Sequence, residues 1–165
     1  MKAYKAEELR AFTGALFRSE RFDAFLLCEA SFRTAFSLEI DGRRNKDWYS
    51  AEEEQELGAE DFVRWGDVRE LAFQAIRGKK APKAFRLVLR LNRQESTAFL
   101  AESGSRLRPE EVSGFYWNLQ YEEKTLRLVS GVSVTAFPGD KALEQLWDQA
   151  TVARLRAMGL VISEL

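Results

Sequence analysis

The stretch KAFRLVLRLN, residues 83 to 92, alternates strictly: Phe85, Leu87, Leu89 and Leu91 share one parity, and Arg86, Val88 and Arg90 share the other. A period of two is the mark of a half-buried strand. A chain containing it must build a sheet with one apolar and one polar face. GFYWNLQYEEKTLRL, residues 114 to 128, repeats the pattern with larger side chains. Phe115, Trp117, Leu119 and Tyr121 fall together, and Leu126, Leu128, Val132 and Val134 offer a matching face after a turn near Glu122 to Lys124. Aromatic stripes at strand spacing pack against a second layer, so these residues are expected inside. Upstream, Leu26, Cys28, Ala30 and Phe32, then Phe36, Leu38 and Ile40, alternate in the same way up to Asp41-Gly42. Two hairpins and one central strand result.

Helical spacing fills the intervals. Leu9, Phe12, Thr13, Leu16 and Phe17 recur as on a helix, predicting one over about residues 6 to 18. Ser50 with Glu53, and Asp67 with Glu70, have the spacing of capping boxes. Val68, Leu71, Ala72, Ala75 and Ile76 form the stripe of the second of these helices, with Gly78 as its stop. Asn92 with Glu95 opens a helix to about Ser103, and Pro109 suits a further short turn. Leu143, Leu146, Trp147 and Ala150 mark a terminal helix begun by Gly139-Asp140 and ending near Gly159. The expected fold is α+β: one domain over residues 1–165, with a mainly antiparallel five-stranded sheet and helices packed on one face.

The composition excludes several chemistries. With no histidine, Ser-His-Asp and Cys-His catalysis and the usual zinc sites are out, and one cysteine makes no internal disulfide. Cys28, on the apolar parity, is expected to be buried and inert. From Asp47 to Asp61 there are seven acidic residues and no basic ones, but Glu52, Glu53 and Glu54 fall in the first turn of a capped helix, where the dipole favours them. No metal site, cofactor or catalytic residue is therefore assigned. The N-terminal MKAYKAEELRAF has no signal-like apolar run and no stretch is long enough to span a membrane, so a cytoplasmic protein is expected.

Two places remain for binding. The polar parity of the sheet carries Arg86, Arg90 and Tyr116 among amides and hydroxyls, groups suited to a protein interface. Two loops are denser in charge: Arg43, Arg44 and Lys46 precede Trp48 and Tyr49, and Arg77, Lys79, Lys80 and Lys83 surround a glycine and a proline. Basic groups beside aromatic rings suit phosphate and a stacked base, yet no phosphate-loop or dinucleotide motif is present. The net charge of -1 also weighs against nucleic acid. A non-catalytic binding module comes first, gripping a protein partner, a ligand or a second copy by the polar face or the loops. A nucleic-acid or nucleotide binder follows, and an enzyme working through carboxylates and arginines comes third.

FSLEIDGRRNKDWY, LAFQAIRGKKAPKAFRLVLRL and FYWNLQYEEKTLRL together resemble a family of small proteins, of Firmicute type, defined only as a domain of unknown function (DUF family 5721). The resemblance runs nearly the full length of the chain. It implies a bacterial cytosolic protein standing alone, and it brings no catalytic or binding residues with it.

Overall fold

In the computed structural model, which describes residues 1–135 and 140–165, the alternating segments assemble into one sheet. Its strands are β1 (Ala3–Ala6), β2 (Leu26–Arg33), β3 (Ser37–Asp41), β4 (Ala84–Arg90), β5 (Val112–Glu122), β6 (Thr125–Val134) and β7 (Ile162–Glu164). The order is β3-β2-β4-β5-β6-β1-β7, and every neighbouring pair is antiparallel. The two expected hairpins, β2–β3 and β5–β6, flank β4. The sheet has seven strands rather than five, because β1 and β7 add a margin beyond β6. At four and three residues, both are too short to show a period.

Five helices connect the strands: α1 (Leu9–Arg18), α2 (Ala51–Leu57), α3 (Trp65–Ile76), α4 (Arg93–Ser103) and α5 (Lys141–Ala157). Ser50 and Glu53 form the capping box of α2, and the Asn92 side chain accepts the Glu95 N–H at the start of α4. Asp140 caps α5 by accepting the Leu143 N–H; Gly139, read with it as the helix start, lies outside the described residues. Two expected starts move. α1 begins at Leu9 because Ala3–Ala6 is drawn into the sheet, and α3 begins at Trp65 after Arg64, with no side-chain cap. α3 then ends at Ile76, two residues before Gly78.

The core lies between the sheet and α1, α3, α4 and α5, all on one side of it. Trp117 is fully buried and packs on Phe25, Phe22 and Trp147, while Phe115 meets Phe99 and Trp147. Burying indoles requires partners for their N–H groups. Trp117 donates to the Thr151 hydroxyl at 2.9 Å, Trp65 to the Leu16 carbonyl at 2.8 Å and Trp147 to the Tyr116 carbonyl at 3.2 Å. Phe115, Trp117 and Tyr121 of β5 thus form the inside of the protein, while Tyr116 between them faces the other way.

A bulge in β2 sets up the opposite face. The register with β4 shifts between Leu27 and Glu29, so Leu27 points into the core and Cys28 drops out of the alternation. An extra residue on one strand resets every side chain beyond it. Gly42 accompanies the bulge: a Cβ there would sit 1.7 Å from the Leu27 carbonyl oxygen, so only glycine lets the chain cross β2 at this point. The crossing is fixed by the Gly42 N–H donating to Cys28 and its carbonyl accepting from Val63.

Candidate functional site

The side of the sheet away from the core helices is open and polar. Along β4, Arg86, Val88 and Arg90 face it; along β5, Tyr116, Asn118 and Gln120 do so, in register with them. Their groups hold one another. Arg86 donates to the Asn118 side-chain oxygen at 3.3 Å and pairs with Glu29 at 3.4 Å. Arg90 lies over the Phe62 ring at 4.8 Å, donates to the Ser113 carbonyl at 3.4 Å and reaches Glu60 at 4.0 Å. Gly114 makes room for that arginine, since a Cβ there would meet the Arg90 side chain at 2.6 Å. Arg86 and Arg90 are thus held in place before anything binds.

A broad cavity of about 850 Å³ opens on this face. Arg43, Arg86 and Tyr116 contribute to its lining, together with Glu29, Glu39 and Asp41. Phe62 and Cys28 complete one end of it. A second depression of about 470 Å³ continues past Ser31 and Arg86 toward Arg33, Gln120 and Arg127. The lining mixes both charges, so the surface suits polar, partly ionic contacts better than a single anion.

The residues nominated from the sequence fall in separate places. Arg43, Arg86, Arg90 and Tyr116 share the open face, with Arg43 also over the Phe62 ring, at 5.4 Å. Arg44 is buried; it pairs with Glu54 at 2.8 Å and covers the Tyr49 ring at 5.1 Å. Two of its nitrogens, Nε and Nη1, are buried without a hydrogen-bond acceptor, while the guanidinium as a whole lies over the Tyr49 ring. Arg44 and Tyr49 therefore tie the loop to α2. Lys46 reaches Asp61 at 3.8 Å, and Trp48 stands 81% exposed on a single 3-10 turn. On the helix side, Arg77 and Lys80 border a cleft with Arg10, Phe17 and Arg18. Lys79 and Lys83 are exposed, and the Lys83 N–H donates to the Arg33 carbonyl. The two basic loops contribute to different cavities, Arg43 to that of the sheet face and Arg77 and Lys80 to the helix-side cleft.

Cys28 corrects an expectation. The bulge takes it out of the core and leaves it half-buried in the lining of the open face. Burial pushes its thiol up to about 11; Arg90 and Arg43 oppose that rise and Glu29 adds to it. Asp41 and Phe62 were not nominated either. Asp41 reads in sequence as a turn residue, and Phe62 as an isolated aromatic in an acidic stretch. Among the described residues no group of three or more cysteines or carboxylates is arranged to hold a metal ion, and no helix is long and apolar enough to cross a membrane.

Fold and site define an α+β protein with a one-sided, seven-stranded antiparallel sheet and an open polar face. The model of a family of unknown function, DUF5721, matches residues 15–161, and the chain belongs to that family. Among curated proteins and among solved structures, nothing matches the chain.

Proposed function

We propose that this protein is a non-catalytic binding module whose open sheet face receives part of another protein. One observation carries the reading. The polar face is left uncovered by the helices that bury its other side, yet the two arginines lining its 850 Å³ cavity are held, Arg86 by Asn118 and Glu29 and Arg43 against the Phe62 ring. Fixed charged groups on a rigid sheet reduce the ordering cost of binding. A nucleotide or nucleic-acid ligand is less favoured, because Arg43 lines the sheet face while Arg77 and Lys80 border the helix-side cleft. A bacterial cytosolic setting belongs to the same reading, supported by a lone cysteine that forms no internal disulfide.

Photo-cross-linking tests it. A benzoylphenylalanine replacing the exposed Gln120 on the open face is expected to give a discrete protein adduct in cells that make the protein natively. The same group replacing Gln74, exposed on α3, should give none. Arg86→Glu should suppress the Gln120 adduct. Adducts from Gln74 alone would move the binding surface to the helix side. Nucleic acid bound at low salt and lost in Lys79→Glu with Lys80→Glu would replace the proposal with the phosphate reading.

A further inference from the structure

The β3 margin of the sheet presents two rows of side chains that select the same kind of strand. β3 is the outermost strand on its side. Among the described residues, no backbone bond outside the sheet ladders involves Ser37–Asp41. On the helix side of β3, Leu38 and Ile40 are half-buried against the core, and Phe36, two residues before Leu38, is 66% exposed. On the open side, Glu39 and Asp41 are exposed.

The acidic row is unbalanced. Across the β2 pairing Asp41 stands opposite Glu29, and Glu39 opposite Ser31. Like charges directly opposite destabilise an antiparallel pair. Arg86 answers Glu29, but among the described residues neither Glu39 nor Asp41 belongs to an ion pair. An incoming strand with alternate basic and apolar residues meets both rows at once. Its cations fall beside Glu39 and Asp41, and its apolar residues extend the layer of Leu38 and Ile40. The far margin is blunted instead, with β7 three residues long and its Glu164 paired with Lys2 at 2.9 Å.

We propose that β3 accepts an extended segment of a partner protein as an eighth strand, with basic residues on the open face and apolar residues on the helix side. The proposal deepens the open-face reading and rests on it. A second copy fits less well. Antiparallel pairing of two β3 strands centred on Glu39 sets that residue against itself, and centring on Ile40 sets Glu39 against Asp41. A register centred on Leu38, which sets Glu39 against Ser37, escapes the repulsion.

The probe is an acetylated, amidated peptide of sequence Lys-Val-Lys-Val-Lys-Val-Lys, titrated against the full chain. Hydrogen exchange of the β3 amides is expected to slow on binding. Glu39→Lys with Asp41→Lys, both at exposed positions, should weaken the peptide about tenfold or more. A peptide with every backbone amide N-methylated should not bind, because neither of its edges can donate to the ladder. No binding at β3, equal binding of the N-methylated peptide, or a dimer joined through β3 in sedimentation would each overturn the proposal. The Gln120 cross-link separates the two readings. If it forms in the unaltered chain and persists undiminished in the Glu39→Lys, Asp41→Lys variant, the edge strand is not the receptor but the open face still binds. If it never forms in the unaltered chain, the open-face reading itself fails.

Discussion

Single residues carry sharply different loads in this molecule. Trp117 is enclosed by aromatic neighbours and hydrogen-bonded to Thr151, so Trp117→Ala should cost about 3–5 kcal/mol in chemical denaturation. Thr151→Val keeps the volume but strands the indole N–H, for about 1–3 kcal/mol. An unchanged midpoint in either variant would contradict the packing. Cys28 should alkylate slowly at neutral pH without denaturation, since it is half-buried rather than enclosed. Its rate should climb about tenfold per pH unit toward its value of about 11, as the thiolate fraction grows. A flat rate across alkaline pH would remove the burial explanation. The Trp117 environment was legible in the sequence, because period-two spacing identifies a buried face. The Cys28 environment was not, because a bulge reverses parity without any compositional mark.

At the scale of elements, caps and turns set the edges. The Ser105 hydroxyl and then the Leu143 N–H hold the Asp140 carboxyl below its ordinary range. A depressed folded-state value means the stabilisation is complete above the unfolded value of about 3.9 and is lost as pH falls through the lower folded one. Asp140→Ala should therefore cost about 0.5–2 kcal/mol at neutral pH, and the two proteins should converge in stronger acid. Denaturant midpoints along a pH series would check this. The β5–β6 turn places both Glu123 and Lys124 at positive φ, a two-residue turn in which Asn-Gly is favoured. Glu123→Asn with Lys124→Gly should stabilise the hairpin by about 0.5–1 kcal/mol. The turn's position was visible in the sequence, but its left-handed backbone was not, since neither residue advertises it. Capping-box spacing marks a helix start only where a side chain reaches the first turn. Ser50 does so, whereas at Asp67 tertiary packing of Trp65 begins the helix two residues earlier.

For the whole molecule, we propose that the sheet with α1, α3, α4 and α5 melts as one cooperative unit, since a single core joins those helices to both ends of the sheet. Calorimetric and van't Hoff enthalpies should agree, and two resolved transitions would refute it. The fold class and the five strands from β3 to β6 were legible in the sequence because they repeat a pattern. β1 and β7, beyond β6, depend on partners remote in sequence, which no local period records. The open face was legible as a parity, but its cavity depends on Phe62 arriving from an irregular segment. The pairing of Tyr4 with Leu128 has a consequence in time. On the ribosome, β2 and β3 can close their hairpin early, and β4 and β5 can extend it as they emerge. β1, though it precedes the other strands of the sheet, has no strand to join until β6 exists, and β7 has β1 as its pairing partner. That leading strand is thus among the last to settle, and a nascent chain stalled before β6 carries Tyr4 and Ala6 uncovered.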